Sequence, residues 1–88
     1  MLPEVKETAL KRLNYVEGHI SGIRRMVEED QYCVDILKQT HAVRRAIQKI
    51  ERLILEGHLH THVTEGIRDG REEEVLAELL ELYDLPGR

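Results

Sequence analysis

The sequence predicts an all-α protein, and three observations lead to this prediction. The 88 residues are 34% charged and 3% aromatic, with two prolines and neither Trp nor Phe, which fits a β-rich fold poorly. Apolar residues recur at alternating steps of three and four, the spacing that places them on one face of a helix. This spacing is interrupted near residues 28–33 and 64–70, so we expect three helices in a single domain spanning residues 1–88.

The first helix is predicted over about residues 4–28. Pro3 suits a first helical turn, because its missing N–H would have no partner there. The apolar positions are Val5, Ala9, Leu13, Val16, Ile20, Ile23 and Val27. The run EEDQYC then interrupts the pattern, and the side chain of Asp30 is expected to cap the second helix.

The second helix is predicted over about residues 31–63. Its apolar seam is Ile36, Thr40, Val43, Ile47, Ile50, Ile54 and Gly57. From Asp30 to Val63 such a helix is about 50 Å long at about 1.5 Å per residue, longer than a compact monomer of this size is wide. The first helix is too short to cover the whole seam, so we expect the chain to oligomerise.

The third helix is predicted over about residues 71–84, after a break around the segment TEGIRDG. Three consecutive glutamates, Glu72 to Glu74, suit the positive end of its dipole. The residues expected to be buried are Val75, Leu76, Leu79, Leu80 and Tyr83. Pro86 and Gly87 are expected to end the helix.

Cysteine usage and hydropathy predict a soluble cytoplasmic protein. Cys33 is the only cysteine, so a disulfide within the chain is impossible and a reducing compartment is expected. No apolar run approaches the ~18 residues of a membrane span. A chain this short often depends on a metal ion or on oligomerisation for its stability.

The segment LEGHLHTHV, residues 55–63, contains three of the five histidines. His58 and His62 are four residues apart, so on a helix their rings face one metal ion, whereas His60 points away. Taken alone, such a pair is more often solvated and binds no metal. Cys33 is the strongest soft ligand in the chain, although a lone cysteine is more often a small buried apolar residue.

Cys33 and His58 are 25 positions apart, or roughly 37 Å along one helix, so one chain cannot bring them to the same ion. In an antiparallel dimer whose two-fold axis passes near Ala46 and Ile47, Cys33 of one chain lies opposite the turn from His58 to His62 of the other. Such a dimer contains two equivalent sites, and it also covers the seam of the second helix.

The charge distribution leaves nucleic-acid binding open. The net charge is −4, from 13 basic and 17 acidic residues, which argues against a uniformly basic DNA-binding protein. Four basic residues nevertheless share one face of the second helix: Lys38, Arg45, Lys49 and Arg52. A solvated charged face is the usual explanation of such a stripe, and no helix-turn-helix or zinc-finger pattern is present in the sequence.

The sequence resembles the copper-sensing operon repressors, or CsoR-like regulators, whose relatives sense nickel, cobalt, formaldehyde or persulfide. The resemblance rests on RLNYVEGHISGIRRM, EEDQYCVDILKQTHAVRRAI, EGHLHTHV and DGREEEVLAELL. It implies a three-helix protomer, an antiparallel four-helix-bundle dimer and a dimer of dimers. It also implies a repressor that leaves its operator DNA when its ligand binds.

The resemblance assigns a role to several positions of this chain. It makes Cys33, His58 and His62 the metal ligands, with the cysteine supplied by the opposite chain. It assigns Tyr32 and Glu78 to hydrogen bonds that orient a ligating histidine. Three basic residues are implied to contact DNA: Arg12, Lys49 and Arg52. His19, His41 and His60 receive no role.

Cu(I) is the effector that we predict, with Cu(II), Zn(II) and Ni(II) as alternatives. The copper branch commonly has cysteine where this chain has His62, and imidazole also suits the other three ions. Nickel and cobalt sensors add a histidine near the N-terminus, yet none precedes His19. Persulfide sensors use two cysteines. Formaldehyde sensors use an N-terminal proline and commonly lack the second histidine, whereas Pro3 follows Leu2 and His62 is present here.

Two other functional classes would use the same candidate ligands. A cytosolic metal buffer would use the same ligands without binding DNA. A zinc hydrolase also has three protein ligands and an open coordination position, but no general base is evident beside the ligands. We therefore do not expect an enzyme.

Overall fold

The computed structural model describes residues 1–87, and within them the chain is helical, with no strand. Helix α1 spans Pro3–Glu28 and helix α2 spans Cys33–His58. A π-helical turn, Leu59–Val63, continues α2 directly into the short helix α3, Thr64–Arg68. Helix α4 spans Glu72–Tyr83. The predicted all-α fold with three main helices is confirmed.

The connection between α1 and α2 differs from the prediction. Asp30 does not cap α2; it has a positive φ of 55° and ends α1. The backbone N–H of Asp30 donates to the carbonyl of Val27, and that of Gln31 donates to the carbonyl of Met26. These two bonds satisfy the last carbonyls of α1 in a Schellman motif, which needs one residue in the left-handed conformation. Tyr32 is therefore the residue that precedes α2.

The second helical segment starts and ends later than predicted. It begins at Cys33 rather than near residue 31, and it remains helical through α3 to Arg68. The expected break over TEGIRDG is therefore wrong for its first five residues. Only Asp69 to Arg71 break the helix, with Gly70 at φ 78°. Gly66 lies inside α3 and does not break it. The glycine allows α4 to pack closely, since a Cβ at this position would lie 2.6 Å from Cγ1 of Val75.

Helices α1 and α2 form an antiparallel hairpin that contains the core. The N-terminal part of α1 packs on the end of α2, where Val5 meets Gly57, and the middle of α1 packs near the start of α2, where His19 meets Gln39. The buried cluster between them is Val16, Val43 and Ile50, with Ile23 and Ala46 packed against it. The hairpin is long and flat, since the molecule measures 56 × 29 × 13 Å.

Only one side of the predicted seam on α2 is covered by α1. Val43, Ile50 and Gly57 are buried, and the alternate seam positions are left open to solvent. We call this open surface the bare apolar face. It comprises Leu13, Ile20 and Val27 of α1 and Ile47 and Ile54 of α2, whose exposed fractions lie between 37% and 55%. Regular spacing of apolar residues by seven on both helices is typical of a surface that packs against another helix pair.

Helix α4 buries fewer residues than predicted. Val75 is buried and Leu79 is half-buried, but Leu76, Leu80 and Tyr83 are 51–79% exposed. The reason is that α4 touches the rest of the chain through one face only, against the π-helical turn and α3. No helix within residues 1–87 is long and apolar enough to cross a membrane.

Candidate metal centre

His58 and His62 lie side by side where α2 passes into the π-helical turn. Their Nδ1 atoms are 3.2 Å apart, and their ring centroids are 5.2 Å apart with an interplanar angle of 58°. Two nitrogens bound at about 2.0–2.1 Å to one tetrahedral ion are about 3.3 Å apart. At this separation one ring can donate a hydrogen bond to the other, and the same separation fits two ligands of a single metal ion.

The surroundings of this histidine pair leave room for a further ligand. His58 is half-buried and His62 is exposed, so the facing nitrogens are reachable from outside the chain. Imidazole nitrogen is a good ligand for copper, nickel and zinc. The pair supplies two donors, and a tightly bound ion needs at least one more.

Cys33 is the first residue of α2 and carries a free, exposed thiol. It lies at the opposite end of α2 from His58, roughly 37 Å away by helical rise. Within residues 1–87, no three Cys, His, Asp or Glu side chains converge as they would to hold one ion. One chain therefore brings together two of the three predicted ligands and holds the third apart.

The structure places Glu78 in the same cavity as His58 and leaves Tyr32 next to Cys33. Glu78 and His58 line one open cavity of about 250 Å³ between α4 and the end of α2, together with Leu79, Glu81, Leu82 and Leu85. Tyr32 precedes Cys33 and is exposed. Glu81 is a second carboxylate beside His58 that the sequence patterns did not single out.

Two threonines that the sequence patterns did not single out bind the backbone around the histidine pair. The hydroxyl of Thr61 donates to the carbonyl of Gly57 at 2.8 Å, and that of Thr64 donates to the carbonyl of Leu59 at 2.7 Å. Threonines three residues apart in a helical segment are the available signal, because their hydroxyls often bond to carbonyls of the preceding turn.

The predicted DNA-contacting side chains are exposed on both long helices. Arg12 projects from α1, and Lys49 and Arg52 project from α2. Lys38 and Arg45 are also exposed on α2, on the face that the spacing predicts. Nε2 of His19 lies 2.7 Å from Oε1 of Gln39, and Nδ1 of His41 lies 3.3 Å from a guanidinium nitrogen of Arg44. We call Arg12, Lys38, Arg45, Lys49 and Arg52 the basic face.

A family model described as metal-sensitive transcriptional repressor matches residues 5–84, which include all four helices almost completely. This chain belongs to the metal-sensitive transcriptional repressor family. The match also covers the histidine pair, Cys33 and the whole basic face. The resemblance to CsoR-like regulators is thereby confirmed.

Individual members of the metal-sensitive repressor family show the same relationship. The copper-sensing transcriptional repressor CsoR of Mycobacterium ulcerans (strain Agy99) is 40% identical over 80 residues, which are 91% of this chain and 68% of that protein. The crystal structure of the copper-sensing repressor CsoR with Cu(I) from Geobacillus thermodenitrificans NG80-2 superposes with a TM-score of 0.88 at 36% identity. That match covers 94% of this chain and 86% of the other.

A nickel-responsive member of the metal-sensitive repressor family is also similar in structure. The nickel-responsive transcriptional regulator InrS superposes with a TM-score of 0.76 at 40% identity, over 89% of this chain and 88% of that protein. The relatives are thus transcriptional repressors and regulators rather than enzymes, and they include both copper and nickel sensors.

Proposed function

We propose that this chain is a copper-responsive repressor that binds operator DNA in the metal-free form and releases it when Cu(I) binds. Cys33 of one protomer and both His58 and His62 of the partner subunit would hold the ion. The observation that carries this proposal is the 3.2 Å separation of the two histidine nitrogens, at the opposite end of α2 from the thiol. The copper-sensing relatives support Cu(I) as the effector.

The bare apolar face supports an antiparallel dimer as the unit that completes the metal centre. Five apolar side chains that are at least 37% exposed would be removed from water by a second hairpin packed on this face. In a head-to-tail arrangement the same contact brings each Cys33 to the histidine pair of the other chain. The resemblance to CsoR-like regulators further supports a dimer of dimers, a cytoplasmic homotetramer, as the form that binds DNA.

Glu78 and Tyr32 connect the metal centre to the rest of each protomer. Glu78 lies on α4 in the cavity that His58 lines, so its carboxylate can accept a hydrogen bond from the ring nitrogen of His58 that faces away from the ion. Tyr32 would reach the same centre from the protomer that supplies Cys33. A bound ion would link the two protomers through its ligands, and a hydrogen bond from His58 to Glu78 would connect α4 to the metal centre.

The basic face is the surface that we propose for operator DNA. It is exposed and contains five positively charged side chains, whereas the overall net charge is −4. Contacts from such a surface go mainly to phosphates, so affinity depends on salt and on the relative positions of the basic faces in the tetramer. A change in the angle between protomers would weaken several contacts at once. A coupling of about 1–3 kcal/mol between metal and DNA is the usual allosteric size.

Nickel is the alternative effector that a specific observation favours. Both nitrogen ligands are imidazoles, which suit Ni(II), Zn(II) and Cu(II) as well as copper(I), and the similarity to nickel-responsive InrS supports this reading. A formaldehyde-responsive repressor is a weaker alternative from the same family.

Fluorescence anisotropy on the promoter DNA of the chain's own gene tests the function directly. We expect the metal-free protein to bind this DNA and Cu(I) to weaken binding by roughly 5- to 150-fold, the range that corresponds to the usual coupling energy. Parallel titrations with Ni(II), Zn(II) and formaldehyde identify the effector, because only the effector releases DNA. Equal operator affinity with and without each of the four compounds would exclude a ligand-released repressor.

A cytosolic metal buffer is distinguished from a repressor by DNA binding itself. We expect Arg12→Ala to weaken DNA binding and to lower the slope of log affinity against log salt by about one, as loss of one phosphate contact does. Arg68→Ala is the matched control, because Arg68 is also exposed and lies on α3, away from the basic face. A metal buffer would bind DNA weakly in every variant, with no difference between Arg12→Ala and Arg68→Ala.

A further inference from the structure

The π-helical turn Leu59–Val63 begins immediately after His58 and contains His62. Such a turn replaces the usual hydrogen bonds between residues four apart by bonds between residues five apart. It is less well bonded than an α-helix and is kept only where the surrounding structure holds it. His62 lies in this turn and His58 immediately before it, so the position of the His62 ring relative to the His58 ring depends on whatever stabilises the turn.

The side chain of Thr64 makes the bond that spans the turn. Its hydroxyl donates to the carbonyl of Leu59, five residues earlier, at 2.7 Å. The backbone N–H of Thr64 donates instead to the carbonyl of Thr61, three residues earlier. A single residue thus ties the position directly after the widened turn to the first residue of the turn. Thr61 makes an ordinary bond to Gly57, four residues back, which an α-helix accommodates equally well.

The turn also sets the directions in which the side chains of α3 point around the helix axis. One extra residue in a helical turn rotates the subsequent side chains by about 100° relative to an uninterrupted α-helix. In the observed rotation Gly66 faces Val75 of α4, where an added Cβ would be only 2.6 Å from Cγ1 of Val75. In a helix without the widened turn, a neighbour of Gly66 would face α4 in its place. Both neighbours, Glu65 and Ile67, carry larger side chains, so the close packing of α4 depends on the widened turn.

We propose that Thr64 is a positioning residue of the metal centre, whose hydroxyl holds the π-helical turn in which His58 and His62 face each other. This inference rests on the proposed function, since it assigns to Thr64 the geometry of the proposed ligands. Thr64 does not touch the ion. It acts through the carbonyl of Leu59, and α4, the helix that carries Glu78, contacts the same turn.

Two substitutions at Thr64 separate its hydroxyl from its shape. Thr64→Val keeps the branched shape and removes the hydroxyl, whereas Thr64→Ser keeps the hydroxyl. Thr40→Val is the matched control, because the hydroxyl of Thr40 donates to the carbonyl of Leu37 at 2.9 Å on the same helix, far from the histidine pair. Helical content by circular dichroism shows whether each variant is folded.

The first measurement is Cu(I) affinity, by competition with a chromogenic chelator under anaerobic conditions. We expect Thr64→Val to bind Cu(I) about 10-fold more weakly, the lower end of the 10- to 100-fold range typical for groups that orient a metal ligand. Thr64→Ser and Thr40→Val should bind close to the wild-type value. Wild-type affinity in Thr64→Val, or equal loss in Thr64→Ser and Thr64→Val, would overturn the proposal.

The second measurement needs no metal, so it separates this proposal from the proposed function. Long-range ¹H–¹⁵N NMR of the metal-free protein reports the imidazole nitrogens individually. We expect Thr64→Val to shift the ring signals of His58 and His62 and to leave those of His19 and His41 in place. Thr64→Ser should give the wild-type signals. If Thr64→Val does not fold, Thr64→Ala replaces it, and unchanged signals of His58 and His62 would overturn the proposal. If the wild type binds no Cu(I) but Thr64→Val still shifts the signals of His58 and His62, the metal centre is refuted and the role of Thr64 in placing the histidines stands.

Discussion

Replacing Cys33 with alanine is expected to weaken Cu(I) binding at least about 100-fold, because even the loss of a group that only orients a ligand typically costs 10- to 100-fold. The histidine pair alone would hold the ion through two donors, which is too few for tight binding. Val34→Ala is the matched control, since it shortens the next exposed side chain of the same helix and removes no donor. Chelator competition gives both affinities.

Mixing two defective variants tests whether the site is shared between chains. A Cys33→Ala protomer has an intact histidine pair, and a His58→Ala, His62→Ala protomer has an intact thiol. In an antiparallel dimer of the two, one of the two sites has all three ligands. Random assortment of equal amounts makes half the dimers mixed, so about one quarter of the wild-type tight sites should reappear.

The outcome of the mixing experiment separates two arrangements. Recovery of tight Cu(I) binding near one quarter supports ligands from two chains. No recovery, in a mixture shown by mass spectrometry to contain mixed dimers, would refute the intersubunit site.

Placing a charge on the bare apolar face is expected to have the second largest effect. Ile47 is 38% exposed in the single chain and lies near the proposed two-fold axis, so Ile47→Asp would place two carboxylates close together in the dimer. Burial of the remaining exposed surface of two isoleucine side chains, 38% of each, contributes about 1–2 kcal/mol to the dimer. Two carboxylates buried without partners in their place cost a further roughly 1–2 kcal/mol each. We therefore expect the dimer to be weakened by about 3–6 kcal/mol, or roughly 10²- to 10⁴-fold in dissociation constant.

Sedimentation over a range of protein concentrations measures this loss. Val34→Asp is the matched control, because Val34 is a 44% exposed apolar residue on the same helix whose side chain points about 140° away from that of Ile47. Val34→Asp should retain the wild-type association. If Ile47→Asp associates as tightly as the wild type, the bare apolar face is not the dimer interface and the shared metal centre loses its support.

The open seam positions show how far a periodic pattern can be interpreted. The spacing along α2 predicted a seam that one short helix could not cover, and the structure divides it accordingly: Val43 and Ile50 are buried under α1, while Ile47 and Ile54 stay exposed. Periodicity specifies which side chains share a face, because the helical repeat is a property of the backbone. It does not specify which neighbour covers each part of that face.

The errors at the helix ends have a common cause. Asp30 is a good helix cap by residue type, yet its backbone ends α1 in a left-handed conformation. Gly66 is a helix breaker by residue type, yet it lies inside α3 because Val75 approaches it closely. Local preferences of this kind are worth about 1 kcal/mol, so tertiary packing can override them.

The sequence by itself determined the all-α class, the three main helices, the family and the four-residue spacing of His58 and His62, because each depends on residue type and on a fixed helical repeat. Only the tertiary structure decided that a π-helical turn follows His58, that the hydroxyl of Thr64 spans it, and that Glu78 on α4 lies beside this histidine. A widened turn costs backbone hydrogen bonding, so it persists only where packing from a distant part of the chain compensates. Contacts between residues far apart in sequence, such as Gly66 with Val75, provide that compensation.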